Sequence, residues 1–387
     1  MANPRPGRIL TTHVGSLIRP PQLMALLRTK SNGEPVDEAE LENVRKRAIA
    51  DVVNRQIQIG IDIVSDGEFG KSISWSRYIL ERMTGFAQRP DEEPNGTMPK
   101  SVFGKDRREF AEFYAEYDKT QNFAGMRGWS VVGPIAYKGK AQIERDITSL
   151  KSAIKGAAPF DCFIPAVSPA SVAPDRLDTH YKNFEESSLA IAEALRDEYR
   201  AIVDAGYILQ VDDSYFASMF DKLENLADYR RWASEQVELI NHALAGLPTE
   251  RTRFHVCWGS WNGPHVGDVE LKDIVDIMLK IRVGGYSIEM ANPRHEHEWR
   301  VWEHTKLPEG RTLVPGVVAH VTNVVELVCE RIVRLAKLVG RENVIASTDC
   351  GFAQGPFVQR VHPSVQWAKL QSLVDGARLA TKVLWNH

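Results

Sequence analysis

The chain has 387 residues, and its 48 lysines and arginines against 51 aspartates and glutamates give a formal net charge of −3. Because there is no basic excess to neutralise phosphates, the composition argues against nucleic-acid and anionic-membrane partners. Hydrophobic residues make up 43% of the chain, which is enough to bury a large core and excludes a globally disordered protein.

Short β-branched runs alternate with amphipathic segments along the chain. The predicted strands lie at 9–17, 62–68, 130–137, 162–167, 207–213, 253–258, 286–290, 312–318 and 344–348. The predicted helices lie at 37–58, 141–155, 184–205, 224–245, 270–282, 324–339 and 363–384. Repeated strand-then-helix units indicate a parallel sheet, and their number predicts an α/β fold closed into a (β/α)8 TIM barrel. A barrel needs eight strands, so one of the nine candidates is an accessory strand. The run at 162–167 is a candidate for that role, and the sequence does not identify which run fills it.

The segment at 85–128 breaks this rhythm, being rich in charge, proline, glycine and aromatic residues. Long insertions in barrels most often lie above the catalytic face and act as lids or dimer contacts. We therefore expect one TIM-barrel catalytic domain over 1–387 with a lid-like insertion at 85–128, and a homo-oligomer is compatible with that organisation.

Neither a signal peptide nor a membrane span is predicted. The first ten residues carry charges and prolines without a following apolar run, and no stretch approaches about 18 uncharged apolar residues. A cytoplasmic protein is expected. Four scattered cysteines are too few for a disulfide scaffold, so each must be core filler, nucleophile or metal ligand.

The C-terminal ends of barrel strands deliver active-site residues, and in this chain they are unusually polar. The side chains at these ends are His13, Ser16, Asp66, Glu68, Asp212, Asp213, His255, Cys257, Glu289, His320, Asp349 and Cys350. This concentration predicts an active site in the barrel mouth.

Four of these side chains form a candidate metal site. His255 and Cys257 are two residues apart on one strand, so both point to the same face of the sheet. For that pair alone, a buried thiol beside a hydrogen-bonded histidine is the simpler interpretation. Glu289 and Cys350 end the neighbouring strands, however, and two thiolates, an imidazole and a carboxylate suit zinc.

The strand-end motifs together resemble a known family, the cobalamin-independent methionine synthases, and specifically their C-terminal catalytic barrel. The motifs are Gly15-Ser16, Gly67-Glu68, Gly133-Pro134, Gln210-Val211-Asp212, His255-Val256-Cys257, Ile288-Glu289, Pro315-Gly316-Val317 and Asp349-Cys350-Gly351. The resemblance spans about residues 11–381 and includes single-barrel relatives such as epoxyalkane:coenzyme M transferase. The wider superfamily also contains uroporphyrinogen decarboxylase.

The resemblance implies roles for particular residues. In the family a His, Cys, Glu and Cys set holds zinc, which corresponds here to His255, Cys257, Glu289 and Cys350. The amino-acid acceptor is held by residues that correspond to Ser16, Glu68 and Asp212. The implied activity is a zinc-dependent S-methylation or S-alkylation of a small thiol of the homocysteine type.

This sequence departs from the family pattern at several positions. The family's Asp-Glu-Pro is replaced by Asp212, Asp213 and Ser214, and the histidine after Pro-Gly-Val aligns with His320 only across a one-residue gap. The chain also has no room for the second barrel that helps to bind folate polyglutamate. A different methyl donor is therefore expected, and epoxide opening by coenzyme M is the main alternative.

A proton donor for the leaving group is also required, and His320 or a strand-end aspartate, Asp212, could supply it. Arg294 and Lys71 are candidate cations for an anionic substrate tail, although surface roles are the simpler interpretation. His13 could contact substrate or cap a loop, and the His-x-His pair of His295 and His297 is a weak metal candidate.

Two other functional classes remain open. A metal-free decarboxylase of the same superfamily has no need of His-x-Cys, Glu and Cys on successive strand ends. A zinc hydrolase would activate water, for which histidine and carboxylate ligands are more usual than two thiolates. A metal assay separates the transferase from the decarboxylase, and a thiol-alkylation assay separates it from the hydrolase.

Overall fold

A computed structural model describes residues 7–71, 74–89, 104–120, 128–223, 225–259, 263–321, 324–353 and 360–386. Its strands are β1 (Leu10–Thr11), β2 (Ile63–Val64), β3 (Phe86–Gln88), β4 (Trp129–Val131), β5 (Asp161–Val167), β6 (Leu177–Asp178), β7 (Ile208–Asp212), β8 (Thr252–Val256), β9 (Gly285–Ile288), β10 (Thr312–Val318) and β11 (Ile345–Thr348). Its α-helices are α1 (Pro21–Ser31), α2 (Glu38–Ile59), α3 (Tyr78–Glu81), α4 (Lys105–Glu109), α5 (Ala111–Tyr117), α6 (Lys140–Ala153), α7 (Phe184–Asp204), α8 (Tyr215–Ser218), α9 (Leu226–Ala243), α10 (Leu271–Met278), α11 (Val325–Val339) and α12 (Pro363–Trp385).

Eight parallel strands form the central sheet, in the order β1–β11–β10–β9–β8–β7–β5–β2. Its two edge strands meet, because Asp62 N–H donates to Thr11 O over 3.2 Å and the Thr12 hydroxyl donates to Ile63 O over 3.0 Å. The sheet is therefore a nearly closed barrel, and the helices surround it. This confirms the predicted (β/α)8 TIM barrel.

The accessory strand is not the candidate at 162–167. Residues 162–167 belong to β5, which lies in the barrel between β2 and β7. The accessory candidate is instead 130–137, because β4 pairs with β3 and β6 in a separate three-stranded sheet. Burial explains the difference: β5 is buried at every position after its first, as a strand covered on both faces must be, whereas β4 is only partly covered.

All seven predicted helices are present, as α2, α6, α7, α9, α10, α11 and α12. α2 begins where the Asp37 side chain accepts the Ala39 and Glu40 N–H groups, and it ends at Gly60, whose φ of 96° suits glycine. The helix α1 and the short helices α3, α4, α5 and α8 were not predicted. None of the described helices is long and apolar enough to span a membrane.

The segment at 85–128 follows the C-terminal end of β2, which is the side of the barrel where a lid would lie. Its described part contains β3, α4 and α5. Positions 90–103 and 121–127 of the predicted insertion lie outside the described residues. The single-domain organisation and the oligomeric state remain predictions.

A buried ionic network joins α3 and Tyr137, which flank the segment at 85–128, to the barrel helices α6 and α7. The Arg82 guanidinium donates to Glu198 Oε2 over 3.1 Å and to Asp146 Oδ2 over 2.5 Å. The Tyr78 and Tyr137 hydroxyls donate to the two oxygens of Glu198, over 2.7 and 2.6 Å. These contacts fasten α3 to α6 and α7.

Substitution of Arg82 by methionine should destabilise the protein by about 3–5 kcal/mol, because Glu198 would keep a buried charge without a cation and Asp146 would keep only its contact with Arg145. Urea unfolding of wild type and variant measures this difference. Adding Glu198→Gln to Arg82→Met should recover part of the loss. A loss below about 1 kcal/mol would mean that the network is not energetically coupled to folding.

Candidate active site

A cavity of about 180 Å³ opens at the C-terminal ends of the barrel strands. The residues that line it are Val14, Ser16, Glu68, Trp75, Asp212, Ser214, His255, Cys257, Gly259, Cys350, Gly351 and Arg360. Eight residues were predicted as metal ligands, substrate-binding residues or proton donors, and six of them line this cavity. Glu289 and His320 are not in its lining.

Three potential metal ligands lie together on one side of the cavity. The Sγ atoms of Cys257 and Cys350 are 3.7 Å apart, and the ligand atoms of these cysteines and His255 lie within 4.8 Å of one another. Two thiolates bound to one zinc at ~2.3 Å in tetrahedral geometry would be roughly 3.8 Å apart, so the observed separation matches. The His255 Nδ1 atom contacts Ser287 Oγ at 3.1 Å, while its Nε2 atom is buried without a hydrogen-bond partner among the described residues. This donor set fits zinc.

Glu289 occupies a different position from the one predicted. Its Oε2 accepts the Trp258 N–H over 2.9 Å, and its Oε1 faces the Arg294 guanidinium at 3.3 Å. Among the described residues it does not join the three-residue group. Burial, together with the charge of Asp349, raises the pKa of Glu289 to about 8. Its role as fourth ligand therefore stays a prediction.

The two thiols differ in their ionisation. The hydrogen bond from Cys257 and the nearby His255 lower the pKa of Cys350 well below its ordinary value. The same hydrogen bond and burial raise the pKa of Cys257. One thiolate is thus favoured by the protein alone, and a metal cation would favour ionisation of both.

Ser16, Glu68 and Asp212 lie in the other part of the lining. Glu68 has a left-handed backbone with φ of 63°, and the Arg19 guanidinium supports this turn by donating to Glu68 O over 2.6 Å and to Lys71 O over 3.0 Å. Gly15 makes room for the Glu68 side chain, because a Cβ atom there would lie 2.7 Å from Glu68 Oε1. Non-glycine residues in this conformation are uncommon and cluster at functional sites.

Asp212 ends β7, and its Oδ1 accepts the Gln210 amide over 2.7 Å. Burial raises the pKa of Asp212 to about 7. Its neighbour Asp213 does not line the cavity. The Asp213 Oδ1 atom accepts from the Ser171 hydroxyl over 2.9 Å and from the Phe216 N–H over 3.0 Å. Asp213, where the sequence departs from the family motif, therefore stabilises the local backbone.

His320 lies behind Cys350. Its Nε2 atom is 3.1 Å from Gly351 O, to which it donates, and its ring packs edge-on against Phe352. Burial lowers the pKa of His320. His320, the predicted proton donor, therefore lies next to the cluster of His255, Cys257 and Cys350. Its protonated Nε2 atom is engaged in a hydrogen bond to the backbone.

The remaining candidates have partners inside the protein. The Lys71 ammonium is 3.3 Å from Glu68 Oε2, and Arg294 pairs with Glu289. His13 is buried and its Nε2 contacts Gln56 Oε1 at 2.8 Å, so it supports the loop and does not line the cavity.

Trp75, Ser214, Gly259 and Arg360 line the cavity and were not predicted. Each lies in a connection beyond a strand end, where no periodic pattern marks a residue as inward-facing. Ser214 carried the strongest signal, since it directly follows the Asp212-Asp213 pair.

His295 is also not a metal ligand in this arrangement. Its Nε2 contacts Asp268 Oδ2 at 2.9 Å, its Nδ1 contacts Glu298 Oε2 at 2.8 Å, and its ring stacks on Trp258 at 4.1 Å. Its predicted partner in a His-x-His pair, His297, is exposed. Burial alone would lower the pKa of His295, but the two carboxylates outweigh it and raise the pKa to about 9.

The charge on His295 should make stability pH-dependent. Because its folded pKa of about 9 exceeds its ordinary value of 6.5, the stabilisation is complete below pH 6.5 and is lost as the pH rises through 9. The free-energy advantage of wild type over His295→Gln should therefore fall by about 3 kcal/mol between pH 6 and pH 9.5. Urea unfolding at both pH values measures it, with His297→Gln as the exposed control. An advantage that stayed constant with pH would contradict this assignment.

Comparison with known proteins shows which family and which relatives this chain is similar to. Residues 178–375 match the family model described as the catalytic domain of cobalamin-independent synthase. The 2-hydroxypropyl-CoM lyase of Xanthobacter autotrophicus is 21% identical over 91% of this chain and 89% of its own length. A methionine synthase of Saccharolobus solfataricus is 22% identical over 97% of this chain and 95% of its own.

Solved structures agree on the fold. The B12-independent methionine synthase from Shewanella sp., in complex with selenomethionine, superposes with a TM-score of 0.72 at 21% identity, covering 98% of this chain and 100% of that one.

Proposed function

The chain belongs to the family of cobalamin-independent synthase catalytic domains, and from that premise we propose that it is a zinc-dependent transferase that activates a thiol acceptor for S-methylation or S-alkylation. The observation that carries the proposal is the cavity itself. It holds a His255–Cys257–Cys350 cluster together with the carboxylates of Glu68 and Asp212. A thiol and an ammonium group on one small molecule would match these two features.

His255, Cys257 and Cys350 would hold the metal, and Glu289 is proposed as a fourth, displaceable ligand because a hard carboxylate oxygen suits a soft site less well. When bound, zinc lowers the pKa of an acceptor thiol, so that its sulfur is nucleophilic at neutral pH. Arg294 would then keep the charge of Glu289 compensated when that carboxylate is not bound to metal.

The acceptor is proposed to be an amino-acid thiol of the homocysteine type. Its ammonium group would pair with Glu68 and Asp212, and its carboxylate would lie near the Ser16 turn. Because the turn at Glu68 is fixed by Arg19 and Gly15, its carboxylate is preorganised for this contact.

Asp212 and His320 are the two candidates for the proton donor. Asp212 lines the cavity and its pKa of about 7 lets it hold a proton near neutrality. The Nε2–H of His320 is engaged by Gly351 O, and the pKa of His320 is lowered. We therefore favour Asp212 for proton transfer and assign His320 to support of the loop that carries Cys350.

Coenzyme M is the second candidate acceptor, with an epoxide as the electrophile. The observation in its favour is Arg360, a cation in the cavity lining that could face a sulfonate. The similarity to 2-hydroxypropyl-CoM lyase points the same way. Against it, Glu68 and Asp212 would repel a sulfonate, while Lys71 already pairs with Glu68.

A thiol-consumption assay tests the proposal. Zinc-loaded protein is incubated with homocysteine or coenzyme M, and with iodomethane or epoxypropane as the electrophilic probe. We expect catalysed loss of the homocysteine thiol at a rate at least about 10-fold above that of coenzyme M, equivalent to ~1.4 kcal/mol of discrimination. Preference for coenzyme M with the epoxide would replace homocysteine as the acceptor, and catalysis with neither thiol would favour a hydrolase.

A further inference from the structure

A buried arginine crosses the interior of the barrel below the cavity. Arg253 lies on β8, two residues before His255 and on the same face of the strand, and it is only 4% exposed. Its guanidinium stacks over the Phe163 ring at 3.9 Å. In the sheet order β8 is four strands from β1, so a contact between these strands spans the barrel.

Every hydrogen-bond partner of this guanidinium among the described residues is uncharged. Its Nε donates to Gln210 Oε1 over 2.7 Å, its Nη1 to Thr12 Oγ1 over 3.2 Å, and its Nη2 to His13 O over 3.2 Å. A buried cation without a directly bonded carboxylate destabilises a folded protein, so this arrangement is not explained by stability alone.

The contact with Gln210 determines which way its amide faces. An arginine can only donate hydrogen bonds, so the amide oxygen must face Arg253 and the amide NH2 group must face away from it. That NH2 group donates to Asp212 Oδ1 over 2.7 Å and also to Val14 O. Both Val14 and Asp212 line the cavity.

We propose that Arg253 is a positioning residue for acceptor binding: it fixes the Gln210 amide so that Asp212 is held by a hydrogen-bond donor and aimed at the cavity. The inference rests on the proposed function, because it assigns Asp212 to the acceptor. Through Thr12, His13 and the Gln210–Val14 contact, the same guanidinium also fixes the end of β1 that leads to Ser16.

Without Arg253, the buried Oε1 atom of Gln210 loses the donor that satisfies it among the described residues. The amide would then leave its place between Asp212 and Val14 to regain a partner, and Asp212 would lose its hydrogen-bond donor. Acceptor binding should therefore weaken, while the metal ligands, which take no hydrogen bond from Gln210 among the described contacts, should be unaffected.

The test uses Arg253→Met, which keeps the length of the side chain without its donors. Crystal structures of wild type and variant show whether Gln210 still donates to Asp212, and steady-state assays of zinc-loaded protein give KM for homocysteine and kcat. We expect the Gln210–Asp212 hydrogen bond to be lost and KM to rise at least about 10-fold, with zinc content and kcat within about 2-fold of wild type.

Arg253→Lys and Gln210→Glu complete the series. A lysine keeps the charge, but its single ammonium group cannot reach Gln210, Thr12 and His13 together. The KM of Arg253→Lys should therefore resemble that of Arg253→Met. Gln210→Glu gives Arg253 a carboxylate partner and protects folding, yet it removes the donor to Asp212, so its KM should also rise. A purely structural role for Arg253 predicts an unchanged KM in the folded Arg253→Met and Arg253→Lys proteins.

Arg251→Met is the matched control. This arginine lies just before β8 and pairs with Asp161 at the opposite end of the barrel, at 2.6 Å, so its KM should equal that of wild type. A retained Gln210–Asp212 hydrogen bond in Arg253→Met, or an unchanged KM in Gln210→Glu, would overturn the proposal. If wild type consumed no thiol, the proposed function would fail, and the crystal structures would still decide whether Arg253 positions Asp212.

Discussion

Substitution of Cys257 by serine should reduce the zinc content of the purified protein from about one ion per chain to below about a tenth of that. A serine hydroxyl stays protonated at neutral pH and is a harder donor than a thiolate, so the site would lose one of its two soft ligands. Cys350→Ser should behave in the same way, because the Sγ atoms of Cys257 and Cys350 lie 3.7 Å apart in one cluster. Elemental analysis of dialysed protein measures the change.

Both variants should remain folded, since the hydrophobic core of the barrel does not include the metal cluster. Cys329→Ser is the matched control, because Cys329 is a buried cysteine on α11 outside the cluster. It should retain wild-type zinc. Full zinc occupancy in Cys257→Ser would show that the ligand assignment is wrong.

Substitution of Glu68 by glutamine should raise KM for homocysteine by roughly 10- to 100-fold, because a hydrogen bond to a charged group contributes about 1.5–3 kcal/mol. The amide keeps the shape of the side chain but cannot pair with an ammonium group as an anion. It also leaves Lys71 without its carboxylate partner, so a cation would remain where the acceptor's own cation should bind. Steady-state kinetics of zinc-loaded protein measure the change.

Zinc content should stay at the wild-type value in Glu68→Gln, because Glu68 is outside the ligand cluster. Glu309→Gln, on an exposed loop before β10, is the control and should leave KM unchanged. Loss of zinc from Glu68→Gln would contradict the separation of metal-binding from acceptor-binding residues.

The cluster of His255, Cys257 and Cys350 could be anticipated from sequence because β-strand geometry is so regular. Alternation of side chains puts His255 and Cys257 on one face, and the rule that barrel strands deliver their C-terminal ends to one site adds Cys350. The position of Glu289 could not be anticipated in the same way. Its carboxylate is held by Trp258 N–H and Arg294, and neither contact has a signature in sequence spacing.

The features that the sequence did not predict depend on contacts between residues that are distant in the chain. The accessory strand could not be identified from sequence because a short apolar run does not show which sheet it joins, and burial on both faces of β5 is visible only in three dimensions. Trp75 and Arg360 reach the cavity from connections without periodicity. The sequence shows Arg253 as an ordinary strand residue, and its contacts with Thr12 and His13 across the barrel are seen only in the structure.

Proton release on acceptor binding is the most direct test of thiol activation. A free thiol with a pKa near 8.5 is mostly protonated at pH 7, so binding as a thiolate must release close to one proton. Calorimetric titration of zinc-loaded protein in buffers of different ionisation enthalpy gives this number. Methionine, which has the same ammonium and carboxylate groups but a methylated sulfur, corrects for protons released by Asp212 and Glu68. We predict that homocysteine releases about one proton more than methionine, and that Cys257→Ser abolishes the difference. Equal proton release by homocysteine and methionine in the wild-type protein would contradict the account.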